Sequence, residues 1–224
     1  VMGQGAYDAG THTIYKIDGA CVNEATMDFD VEGIATINWS GFGKLISENE
    51  SAIPTVAISE GTTSTANFIR NRLTTCAVTA TAQTPIVSTY NLTLTGGSIT
   101  FSNNITFLTP ETLGVVNQPL GHVTSTRNIS GNLTCYLGNH SAGSADLFED
   151  LIEATTSITN DFNLVFAVGG SGTPNVTITL PTCHLEIPTH SIDDIISLET
   201  NFHALPTTVD ESDEASIVYT GATL

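Results

Sequence analysis

A chain of 224 residues, 40% of them hydrophobic, suits one large domain or one and a half of ordinary size, with enough apolar side chains for a core. Its 23 acidic and 5 basic residues leave a net charge of −18 although only 12% of the chain is charged. It therefore lacks the cations that tight nucleic-acid binding requires. The apolar runs are too short for a membrane-spanning helix, and the N-terminus has no charged region followed by an apolar stretch of signal-peptide type.

In chain order, residues 10–43 form an alternating stretch, preceded by a Gly-containing segment at 3–10. Residues 47–67 read as a join. Period-two runs rich in Thr, Val and Ile then predict strands over Thr74–Thr79, Tyr90–Thr95, Ser98–Phe101 and Asn128–Leu137. Gly96-Gly97, lying between two of these, predicts a tight hairpin turn. One segment breaks the pattern. Ser144 is placed to cap a helix through Thr156, on which Leu147, Phe148, Leu151 and Ile152 form one apolar stripe, with Asp146 in the first turn. Those four side chains are candidate core positions. Strands resume at Asn163–Val168, Asn175–Leu180, Ile195–His203 and Ser216–Thr220, the first two joined through Gly169-Gly170-Ser171-Gly172.

Two of these stretches are versions of one another. GTHTIYKIDGACVNE (10–24) lies over GTPNVTITLPTCHLE (172–186), matching Cys21 to Cys183 and Glu24 to Glu186 at a constant spacing of 162 residues. After a one-residue slip Asp30 meets Asp193, Asn38 meets Asn201 and Trp39 meets Phe202. A spacing this long marks a duplicated domain, because solenoid units repeat every ~20–50 residues. The first copy has few residues ahead of its match, so the chain is expected to open within its first domain. Trp39 and Phe202 are candidate core positions, and so are Cys21 and Cys183 as small buried residues. The cysteine spacings match no local zinc motif, while two disulfides remain open on parity.

The strongest metal candidate groups His184, Glu186, His190, Asp193 and Asp194, with His184 and Glu186 on one strand face. The repeat argues against it, since Val22 and Met27 stand where the two histidines would be. Residues 210–214 are rich in carboxylates but lack the Gly and spacing of a calcium loop, and read as a solvated turn. N-x-[ST] triplets at Asn38, Asn49, Asn91, Asn104, Asn128, Asn132, Asn139 and Asn175 mostly reflect a Ser/Thr/Asn-rich composition. No nucleophile elbow, P-loop or dinucleotide fingerprint is present. No catalytic residue, metal or cofactor is expected.

GVVNQPLGHVTSTRNISGNLTCYL (114–137) and TLPTCHLEIPTHSIDDIISLETNFHALPTT (179–208) resemble the tail tube (major tail) proteins of long-tailed bacteriophages, with the helix between them where that family carries one. The first-copy passage over 17–43 resembles the same strand pair. The resemblance implies a mainly β fold: a tail-tube-type β-sandwich or barrel with one flanking α-helix, the domain duplicated in tandem. Residues 1–67 would be the C-terminal part of a first tube domain plus a linker, and 68–224 a complete second one. It implies a non-enzymatic virion protein of the phage tail, assembled in the host cytoplasm. Such a protein polymerises into stacked rings that conduct DNA during ejection.

The implied partners are the protein itself, the tape measure, tail terminator and baseplate or tip proteins, and DNA in transient non-specific passage, with no membrane. Two tandem domains would let three chains make a trimeric ring with pseudo-sixfold symmetry. Glu199, Asn201 and His203 share one face of the last long strand and are the candidate lumen or solvent face. The alternative is an extracellular β-sandwich adhesin or carbohydrate-binding module, which would display clustered aromatic side chains.

Overall fold

The computed structural model describes residues 2–5, 12–51, 69–80, 88–108, 120–153, 162–192, 195–209 and 211–221. In chain order the strands are β1 (Met2–Gly5), β2 (His12–Asp18), β3 (Cys21–Phe29), β4 (Ile37–Phe42), β5 (Leu45–Ser51), β6 (Thr75–Ala80), β7 (Thr89–Leu92) and β8 (Leu94–Ser102). They continue as β9 (Ile105–Leu108), β10 (Gly121–Thr124) and β11 (Asn128–Tyr136). Helix α1 (Ser144–Glu153) follows, then β12 (Phe162–Val168), β13 (Asn175–Leu185), β14 (Thr189–Ile192), β15 (Ile196–Leu205) and β16 (Ser216–Thr220). The protein is thus mainly β and antiparallel, with one helix among the described residues.

The chain forms two compact units. One comprises Val1–Ala25, Trp39–Thr63 and Ser102–Arg127, the other Thr26–Asn38, Ser64–Phe101 and Asn128–Leu224. Neither coincides with a division at 67/68, because each draws on residues from both sides of that point. In the first unit β2 lies between β1 and β5, and β9 pairs with β10. The expected join at 47–67 begins inside β5, and its remaining residues lie outside those described.

The second unit holds the core. The largest sheet runs β4-β3-β8-β11-β15-β13-β12-β6-β7, with β14 on β15 and β16 on β13. Phe29 on β3 and Phe166 on β12 stand five places apart in that order, yet their rings stack at 5.5 Å. In a flat sheet with strands ~4.8 Å apart they would be roughly 24 Å distant. The sheet therefore folds over on itself into two layers, burying Val78, Ile99, Leu164, Phe166, Leu180 and Phe202. Such closure follows from alternating strands that are apolar on one side only.

Three local expectations change. Gly96-Gly97 is strand interior, not a turn. A Cβ on Gly97 would lie 2.5 Å from the Asn132 carbonyl oxygen, and one on Gly131 of β11 would meet Ser98 O and the Phe202 ring. These glycines permit close approach of β8 and β11 and make room for an aromatic ring. Strand β13 runs past its predicted end, through Pro181. Before the proline it pairs with β16 and after it with β15, and its register with β12 shifts between Leu180 and Cys183. A residue with no N–H donor fits at such a change of partner.

Finally, Ser144 lies inside the helix and does not cap it. Its hydroxyl donates to Tyr136 O at 2.6 Å and accepts from Gly138 N–H at 2.8 Å, while Leu147 N–H donates to Gly143 O. The serine thus clips the preceding loop to β11, and Asp146 accepts from Ala142 N–H at 2.8 Å. The tyrosine hydroxyl of buried Tyr90, on β7, donates to the Asp150 carboxylate of the helix.

Candidate functional site

Strand β15 alternates without a break: Leu198, Thr200, Phe202 and Ala204 are buried, and Glu199, Asn201 and His203 are exposed. The exposed residues extend across the sheet, because the register sets Thr134 opposite Glu199, Asn132 opposite Asn201 and Ser130 opposite His203. On the other side His184 of β13 faces His203. The result is a continuous polar face carried by β8, β11, β15 and β13.

Hydrogen bonds order this face. Ser98 Oγ donates to Asn132 Oδ1 at 3.0 Å, and Asn132 Nδ2 donates to Glu199 Oε1 at 3.3 Å. Asn201 Nδ2 donates to Glu186 Oε2 at 2.8 Å, while Glu186 N–H donates to Asn201 O at 2.9 Å. Each amide donates an N–H to a carboxylate, which holds Glu186 and Glu199 in place. The depression here, bordered by Ser98, Thr100, Ser130, Asn201 and His203, is wide open to solvent. It is a surface rather than a ligand pocket. No Lys or Arg lies on β8, β11, β13 or β15, and the carboxylates ordered on the face are Glu199 of β15 and Glu186, the residue that follows β13. Such a face repels phosphate.

Of the residues weighed for a metal, His184 and His190 have different surroundings. His184 lies on the polar face, with its Nδ1 buried and unpartnered among the described residues. His190 instead packs edge-on against Phe148 of the helix, with ring centroids 4.3 Å apart. Asp193, Asp194 and Asp210 lie outside the described residues, among which no three His, Cys, Asp or Glu side chains are placed to hold a metal. In the acidic turn, Asp213 accepts from Thr207 N–H at 3.1 Å and from its hydroxyl at 2.5 Å, and these bonds hold its carboxyl below the usual range.

The candidate core positions divide. Phe202 and Cys183 are fully buried, Leu147 is buried, and Phe148 and Leu151 pack on the core from its edge. Ile152 is 50% exposed, because residues 147, 148 and 151 already cover the inward face of this short helix. Trp39 is 62% exposed, and Cys21 is only half-buried, with Sγ near Phe42 O. The repeat equates both with buried residues, but strand β4 is the last in its sheet and its residues from Asn38 to Phe42 are all exposed. The other three cysteines are free and buried. Burial pushes the Cys135 thiol up to about 11 and the Cys183 thiol to about 12, and raises Cys76 as well.

Asn132, Glu186 and Ser98 went unnoticed as members of the polar face. The signal was available for Asn132, since Asn128, Ser130, Asn132 and Thr134 alternate with Ile129, Leu133 and Cys135. It was absent for Ser98, whose neighbour on β11 is set by the fold alone.

A family model described as phage tail tube protein matches residues 3–216. The tail tube protein pb6 of Escherichia phage T5 is 32% identical over 206 residues, which cover 88% of this chain and 44% of that relative. The chain thus spans less than half the length of the relative. With a model matched over nearly its whole length, an antiparallel β fold and a cation-free sheet face, the chain belongs to the phage tail tube protein family, a family of structural proteins rather than enzymes.

Proposed function

We propose that this protein is a structural component of the phage tail, polymerising into stacked rings whose bore conducts DNA into the host. The carrying observation is the family match over residues 3–216. The polar face of β8, β11, β13 and β15 supports a conduit role. Glu186 and Glu199 repel phosphates, and no lysine or arginine on those strands offers a foothold, so DNA slides past without binding. Glu199, Asn201 and His203 are the proposed lumen positions. The proposed partners are other copies of the chain, the tape measure, tail terminator and baseplate or tip proteins, and DNA in passage. Assembly would occur in the host cytoplasm before the tail joins the virion.

The tandem reading, with a first-domain remnant over 1–67 and a complete domain over 68–224, belongs to this proposal. It draws support from register. Cys183 lies opposite Ala204, while Gly41, at the position equivalent to Ala204, runs against the Cys21 backbone. The two strand pairs thus keep the same partners at matching places. Three such chains per ring would present six quasi-equivalent positions. Electron microscopy of the full-length protein tests the proposal. Hollow tubes with three subunits per ring are expected, and a globular particle that never forms rings, even with tail initiator proteins present, overturns it.

One observation favours the second reading, an adhesin or carbohydrate-binding module: Trp39 is exposed, as a sugar-stacking platform must be. Glycan-array binding that is lost in Trp39→Ala is the result that reading requires.

A further inference from the structure

One cross-strand pair on the polar face carries chemistry that the passage of DNA does not use. His184 of β13 stands directly opposite His203 of β15. Farther along the same two strands, Glu186 N–H donates to Asn201 O, so that pair is a hydrogen-bonded one. Hydrogen-bonded pairs recur at every second position of an antiparallel ladder, which makes the histidines such a pair too, with Cα atoms ~5.5 Å apart and both side chains on one face. Neither imidazole is hydrogen-bonded among the described residues. The Nδ1 of His184 is sealed from solvent, which leaves its Nε2 to meet a ligand. His203 is exposed and borders the open depression.

We propose that His184 and His203 form a two-histidine site for a late first-row divalent metal ion, of the class of nickel(II), copper(II) or zinc(II). Imidazole nitrogen suits these metals, with bonds of ~2.0–2.1 Å to zinc, and two rings rising side by side from adjacent strands can hold one ion between them. The surroundings favour a cation. Glu186 lies two residues from His184 on the same face, its carboxylate held by Asn201, and no Lys or Arg lies on β8, β11, β13 or β15. No third His, Cys, Asp or Glu completes the set among the described residues, so water takes the remaining positions and the ion exchanges readily. The partner of His184 is set by strand register rather than by closeness in sequence, since His190 packs on Phe148 instead. In the similar pair β3·β4 the matching residues are Val22 and Ser40, which offer no imidazole.

The test uses the full-length chain made without a polyhistidine tag. It needs no assembled tube, so its outcome is independent of the conduit reading. Calorimetric titration with nickel chloride is expected to show a single bound ion per chain, released by EDTA. With copper(II), electron paramagnetic resonance is expected to show two imidazole nitrogens on the ion. His203→Asn, at an exposed position, is expected to keep the unfolding midpoint and lose both signals, while His122→Asn, exposed on β10, keeps both. No nickel binding by the wild-type chain, a copper spectrum with one imidazole nitrogen, or binding that survives His203→Asn overturns the site.

Discussion

Two strand pairs of similar sequence meet opposite fates. In β13·β15, Cys183 and Phe202 are fully buried, and the Phe202 ring lies against Phe166 at 5.9 Å. In β3·β4, Cys21 is half-buried and Trp39 exposed. The two pairs are similar in sequence, and Gly41 against the Cys21 backbone matches Ala204 opposite Cys183, so the difference lies in what stands next to each pair. Strand β15 has β11 on its outer side, whereas β4 ends the sheet. Burial is thus a property of the neighbours rather than of the repeated sequence.

The largest expected effect sets Phe202 against Trp39. Phe202→Ala should cost about 3–5 kcal/mol in urea unfolding, because it empties a packed site between two layers. Trp39→Ala should stay within about 0.5 kcal/mol, the usual range at exposed positions. Equal losses would end the contrast. Next is Gly131→Ala, where the new methyl would run into Ser98 O and the Phe202 ring. A loss of about 1–3 kcal/mol is expected from such overpacking, read as a lower midpoint with unchanged slope.

Tyr90→Phe follows, at about 1–3 kcal/mol. It leaves the ring in the core but removes the hydroxyl bond to Asp150 that ties the helix to β7. A helix-selective loss in hydrogen exchange would sharpen the point.

The thiols give the smallest effect at neutral pH. A thiol reagent at pH 8 should label Cys21 in the folded protein and spare Cys76, Cys135 and Cys183 until unfolding. The same burial makes stability depend on alkaline pH. The folded thiols of Cys135 and Cys183 hold their protons more tightly than the ordinary 9.0, so their contribution is full below about pH 9. It is lost as pH rises through about 11 to 12, and a denaturation series across that range that stays flat would contradict it.

Much of the fold was legible. Strands with strict alternation, such as β12 and β15, and the helix with its apolar stripe come from periods that a linear reading detects. Less legible were the glycines. Gly96-Gly97 has the composition of a turn, and only the approach of β11 reveals why a strand needs it. The strand expected over Asn175–Leu180 likewise stops short of Pro181, whereas a change of pairing partner lets β13 run through it. For the polar face, Glu199, Asn201 and His203 could be picked from β15 alone. Asn132 and Ser98 join them through cross-strand register, which depends on which strands become neighbours.

By itself the sequence determined the β class, the helix with its apolar stripe and the shortage of cations, because each is written in local periodicity or composition. Only the tertiary structure decided which of the two similar strand pairs is buried, how one sheet folds into two layers, and which side chains join into one carboxylate-bearing face. Those outcomes depend on contacts between residues tens of positions apart, and identical local patterns leave them open.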